Sequence, residues 1–294
     1  MIMGLPDDPS HKWTTRPAND LEAVTTGMRD RWYGQYGVAG ELLRIAYDSF
    51  DGVPVCHPLP LRQALLAGVV AEMLLVGQVT CANAPGVPCA VAVVDGVEIE
   101  DPAGRLVAEN VAEAGSRHSV QDWMTRDGLC TAVHDTVAER FVTTRMMRWT
   151  RRPDRRGVMR PVLVATDTNR GASTNAMNRL QRAVEAGPAG RRPRQEPSRR
   201  PSPFPANDPA SIKRRLIEAM NTRPAAGWTD ADVACAALLV ALDLSEHIRR
   251  ESARTRTRLH KAVPPLLTQL PAQLRLLLAH ADAAIRQTTT RVQQ

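Results

Sequence analysis

Aromatic side chains make up only 4% of the 294-residue chain, too few for a surface that works by stacking bases or sugars, so the core has to be aliphatic. The five cysteines, Cys56, Cys81, Cys89, Cys130 and Cys235, are odd in number and scattered, with no C-x-x-C pair. That argues against a disulfide framework or a zinc site and for buried thiols. The longest apolar stretch, 64–77, is broken by Glu72 and falls short of the roughly 18 residues that a spanning helix needs. Residues 1–19 have no charged start followed by an apolar run and a small-residue cleavage site, and read as a polar, mobile lead-in, so that a cytoplasmic chain is expected.

Signatures of chemistry are missing too. Gly-x-Gly-x-x-Gly, a Walker loop, His-Glu-x-x-His and Gly-x-Ser-x-Gly do not occur. Cys56 and His57 adjoin, but neighbouring side chains diverge, so the pair makes no nucleophile and base. His118, His134, His247, His260 and His280 share no ligand spacing. An enzyme, a metal and a cofactor are therefore not expected.

What the chain does have is arginine in one place. Of its 38 basic residues 35 are arginine, and the net charge of +7 is unevenly spread. Residues 145–215 hold eighteen Arg and Lys against five acids, a local charge of +13, while the other 223 residues sum to −6. An anionic partner would bind there. Within that region, 187–209 is rich in Pro, Gly and Arg and poor in apolar residues, the composition of a disordered linker.

With 43% apolar residues, the rest reads as a globular domain, mainly α. Helical spacing predicts an amphipathic helix over 38–50 and a second over 61–77, apolar around most of its circumference and so central to the fold. Two β-prone runs, 78–82 and 88–94, flank Ala-Asn-Ala-Pro-Gly as a hairpin, which 97–99 extends. A short helix over 105–114 presents Leu106, Asn110 and Val111 on one side. Ser119-x-x-Asp122 is a capping box ahead of Trp123. Val133, Val137 and Phe141 recur every fourth residue through a helix over 129–145. Then the period changes: 146–150 and 158–165 flank Pro-Asp-Arg-Arg-Gly as a second hairpin with a basic tip. Further helices span 211–220 and 229–247, the latter capped by Thr229, and 254–262 and 272–286.

Arg145, Arg148, Arg151, Arg152, Arg155, Arg156 and Arg160 lie on and around that second hairpin, interleaved with Met146, Met147, Trp149, Val158 and Met159. Against an anionic bilayer each arginine contributes about 1 kcal/mol, and Trp or Met dips into the headgroup boundary. The same residues read equally well as arginines facing water while Trp149 and the methionines cap the core.

The order of GELLRIAYDSFDG, ALLAGVVAEMLLVGQV, DPAGRLVAENVAE, SVQDWM, VAERFV, a basic hairpin, SIKRRLIEAM and WTDADVACAALLVAL resembles the Golgi phosphoprotein 3 family, over about 36–150 and 210–250. The arginine-heavy, lysine-poor composition is similar to that of an actinobacterial member. The resemblance implies a single helical domain with short β-hairpins and a disordered Arg/Pro-rich insertion within 151–209. Eukaryotic members bind phosphatidylinositol 4-phosphate on the Golgi and retain glycosyltransferases. Carried over position by position, the family's lipid pocket falls on His57, Leu66, Asp135 and Ala138, while Glu139 and Arg140 match its pattern; the hairpin corresponds to the one the family inserts into membranes.

The expected organisation is a mobile lead-in (1–35), a first helical part (36–150), the basic hairpin with its trailing segment (151–186), the Arg/Pro linker (187–209) and a C-terminal helical part of the same domain (210–294). The expected function is a non-enzymatic peripheral membrane adaptor in the cytoplasm. It holds an anionic phospholipid surface through Arg140, Arg145, Arg148, Trp149, Arg151, Arg152, Arg155, Arg156 and Arg160, and leaves room for a client protein. Two alternatives use the same features: a nucleic-acid binder relying on 145–215, against which stands the lack of any recognised module, and a helical protein-interaction scaffold whose charge is incidental.

Overall fold

The computed structural model describes residues 37–47, 52–84, 86–114, 118–153, 157–166, 180, 228–244 and 253–294, with side chains in the last segment from 259 onward. The lead-in, the linker over 187–209 and the helix expected over 211–220 lie outside the described residues. Eight helices and two antiparallel hairpins are described.

Helix α2 (Pro58–Leu75) is the axis of the fold. It starts earlier than its apolar pattern suggests because Pro58 and Pro60 fit a first helical turn, where a missing N–H costs nothing, and the ring of His57 accepts the Leu59 N–H at 3.3 Å. Its 18 residues satisfy the length and apolarity of a membrane span, yet 72% of that window is buried inside the protein. Packed around it are α1 (Gly37–Ala46), α3 (Pro102–Ala114), α4 (Val120–Met124), α5 (Asp127–Thr143), α6 (Asp230–Ala241) and α8 (Ala272–Gln293). Helix α7 (Ala253–Leu267) leans on α6.

Both expected helix caps form, each as a full capping box. Ser119 and Asp122 exchange bonds at the start of α4, as do Thr229 and Asp232 at the start of α6. The tryptophans beside them, Trp123 and Trp228, are 1% and 0% exposed and anchor the core. Along α3 the buried stripe is Ala103, Val107 and Val111, one residue off the expected Leu106 side. Leu106 is only partly covered, and Asn110 turns its amide back onto the Leu106 carbonyl.

The first hairpin pairs β1 (Val79–Ala84) with β2 (Val87–Val93). It is not extended at 97–99: after Asp95, Gly96 takes φ +74 and the chain runs irregularly into α3. The second pairs β3 (Met147–Pro153) with β4 (Met159–Ala165) in unbroken register, from Met147 opposite Ala165 to Pro153 opposite Met159.

Candidate functional site

The second hairpin is rooted at one end. Among the described residues its buried ones are Met147, Leu163 and Val164, all at the base, where β3 meets α5 and β4 meets the turn at Gly52. Gly52 has φ +64, and a Cβ there would come within 2.6 Å of the Leu163 carbonyl and the Val164 side chain, so only glycine permits the approach. From Arg151 outward on β3 and before Val162 on β4, every described residue of the hairpin is exposed.

Strand alternation sorts these residues onto two faces. The register puts Trp149, Arg151, Pro153, Met159, Pro161 and Leu163 on one face, and Arg148, Thr150, Arg152, Arg160, Val162 and Val164 on the other. The first is apolar apart from Arg151; the second carries three arginines. Trp149 is 42% exposed, Val158 53% and Met159 56%, three of the seven large hydrophobic side chains exposed among the described residues. Arg145, Arg148 and Arg151 are exposed and make no ion pair with any described residue. Arg152 and Arg160 stand opposite each other across the strands. Arg155 and Arg156, expected at the tip, lie outside the described residues.

Arg145 is placed by the end of α5. Its N–H bonds to the Val142 carbonyl and that of Met146 to Phe141, both at 2.9 Å, with Arg145 at φ +57. This left-handed closure is the one in which helices prefer glycine. Arg140 does not join the group. It sits one turn back on α5, half-buried, and its guanidinium is ion-paired with Asp101, which is buried at the start of α3. That carboxylate already balances its charge, which sets it apart from Arg145, Arg148 and Arg151.

The chain from α1 to α8, residues 38–288, matches the family model of Golgi phosphoprotein 3 (GPP34). It belongs to the Golgi phosphoprotein 3 family. No curated protein matches it. The family is not a known enzyme family.

The four positions onto which the resemblance carries the family's lipid pocket lie in differing surroundings. His57 is an exposed helix cap, Leu66 is 1% exposed and Ala138 fully buried within the core. Asp135 is exposed and bonded through Oδ1 to His134 Nδ1 at 2.8 Å, and His134 Nε2 meets the Tyr47 hydroxyl at 2.8 Å. Burial, with Cys56 nearby, pushes Tyr47 up to about 12, and burial pushes Cys56 to about 12. Both groups stay protonated near neutral pH, so neither is an activated nucleophile. Among the described residues no cluster of three or more His, Cys, Asp or Glu could hold a metal ion.

Sequence reasoning missed a buried ionisable group, at the N-terminus of α1. Glu72 of α2 is buried and accepts the Ala39 N–H at 2.6 Å. Desolvation pushes its carboxyl up to about 8, against the opposing pull of Arg140 and of the Ala39 bond. The hint was there in the sequence: a lone acid in an otherwise apolar helix.

Proposed function

We propose that this chain is a peripheral lipid-binding adaptor that docks on anionic membranes through the β3–β4 hairpin. Family membership supports a lipid-binding role. The observation that carries the reading is the exposure of Trp149, Val158 and Met159 beside Arg148 and Arg151, on a hairpin whose described residues are buried only at its root. An apolar face enters the headgroup boundary while arginines remain among the phosphates, the division of labour of an interfacial anchor. A nucleic-acid surface has no use for exposed Met159 and Val158, and a core-capping role leaves them covered.

Selection in this reading is by membrane charge rather than by one headgroup. The residues at the family's pocket positions, His57, Leu66, Asp135 and Ala138, offer a phosphoinositide no cluster of fixed cations. Docking would use Arg145, Arg148, Trp149, Arg151, Arg152, Arg155, Arg156 and Arg160.

Co-sedimentation with phosphatidylglycerol or cardiolipin vesicles at low salt tests this. At about 1 kcal/mol per arginine, changing Arg151, Arg152, Arg155 and Arg156 to Ser weakens binding by roughly a thousandfold. Binding unaffected by those four changes, or equal binding to phosphatidylcholine, contradicts the reading. A steep salt slope on DNA without lipid preference favours the nucleic-acid alternative.

A further inference from the structure

Two of the five cysteines meet across the first hairpin. Cys81 on β1 and Cys89 on β2 both turn inward, 2% and 0% exposed, and their sulfurs are 2.6 Å apart. In a regular antiparallel ladder these two positions are diagonal neighbours, about 7–8 Å apart. The ladder here is not regular: pairing runs from Val79–Val93 to Ala82–Ala90 and then shifts, so that Ala84 faces Val87. Cys89 stands at the shift with φ +52, a left-handed conformation rare for a residue with a Cβ, and its N–H is held by Asn83 Oδ1 at 3.1 Å. The bulge closes the diagonal and aims both sulfurs at each other.

We infer that Cys81 and Cys89 are a reversible disulfide site, a redox-sensitive clasp across the first hairpin. The oxidant is a low-molecular-weight disulfide of the glutathione class. The Cys81 thiolate attacks one of its sulfurs and expels a thiolate; Cys89 sulfur then attacks Cys81 Sγ in the mixed disulfide and expels the second. The two thiol protons pass to the expelled thiolates, so two protein sulfurs are oxidised and one small disulfide is reduced to two thiols. The contact between the sulfurs lowers Cys81 and raises Cys89; either sulfur can donate to the other, and attack in the reverse order balances equally.

The other described thiols are in different surroundings. Burial raises Cys56 and Cys130 to about 12, and Cys130 donates to the carbonyls of Trp123 and Met124. The clasp lies beneath α8, whose Gln273 side-chain oxygen accepts the Cys81 N–H at 3.2 Å. Local opening of α8 from β1 admits the small disulfide.

The test uses the full chain, equilibrated with mixtures of reduced and oxidised glutathione, acid-quenched, unfolded, alkylated and mapped by peptide mass. The peptide spanning both cysteines is expected to lose two hydrogens and to escape alkylation, with labelling falling roughly tenfold across the series and returning with dithiothreitol. Cys56, Cys130 and Cys235 label fully throughout, and oxidised protein unfolds at a higher temperature than reduced protein. Cys81→Ser and Cys89→Ser each abolish that difference; if a serine variant fails to fold, the wild-type labelling pattern decides alone. Full labelling of both cysteines at the most oxidising ratio overturns the inference, as does equal participation of the other three.

Discussion

The two hairpins begin the same way and end in opposite surroundings. Each comes after a helix closed by the same pair of bonds: at α2, Gln78 N–H to the Met73 carbonyl and Gly77 N–H to Leu74; at α5, Met146 to Phe141 and Arg145 to Val142. The first hairpin then folds back under α8, with Val79, Cys81, Cys89 and Val91 buried. The second leaves the body after Met147. One backbone device thus serves once to seal a core and once to carry charge away from it, and only the side chains decide which. The closing residues differ in the same sense: Gly77 takes its φ of +76 without strain, while Arg145 occupies φ +57 at a cost that glycine would avoid.

The sharpest way to break the comparison is to put a charge on each hairpin. Val91→Asp buries an unpaired carboxylate and is expected to cost roughly 4 kcal/mol in denaturant unfolding, whereas Met159→Asp, on an exposed site, changes stability by less than about 0.5 kcal/mol and instead weakens vesicle binding. Equal stability losses would mean the second hairpin is packed after all.

A pH series separates body from hairpin. Below about 4.5 the Glu72 carboxyl is protonated folded or unfolded; between there and about 8 only the unfolded chain ionises, so the stability it contributes is lost as pH rises through that window. Thermal unfolding of wild type is expected to show this loss and Glu72→Gln to lack it. Vesicle binding stays level over the same range, because arginine keeps its charge.

The smaller effects concern single residues of the second hairpin. Trp149→Ala should reduce vesicle binding about tenfold by removing apolar area from the headgroup boundary, with stability changed by less than about 0.5 kcal/mol. Arg145→Gly should stabilise the fold by up to about 1 kcal/mol while weakening vesicle binding about fivefold. Urea unfolding and co-sedimentation on the same preparation check both, and a stability loss on Arg145→Gly would show that its side chain holds the turn.

Much of this was legible in the sequence because the carriers are local. Turn residues between β-prone runs mark both hairpins; Ser119-x-x-Asp122 and Thr229 with Asp232 mark helix starts; the apolarity of 61–77 around most of the helix circumference marks the central helix. What escaped depends on distance along the chain. Arg140 and Asp101 are 39 residues apart, and nothing local says that this arginine pairs with that carboxylate. Glu72 and Ala39, 33 residues apart, meet only once α1 packs on α2. The cysteine contact was nearer the surface of the sequence, since Cys81 and Cys89 stand symmetrically about Pro85 in the expected turn. Only the bulge at Cys89, which propensity does not report, turns symmetry into contact.

Hydrogen exchange of the full chain with and without phosphatidylglycerol vesicles tests the central claim most directly. The account predicts that amides of 147–165 slow on the vesicles while those of 79–93 exchange as they do in solution. Protection confined to the first hairpin, or spread over the helical body with the second hairpin unchanged, would contradict it.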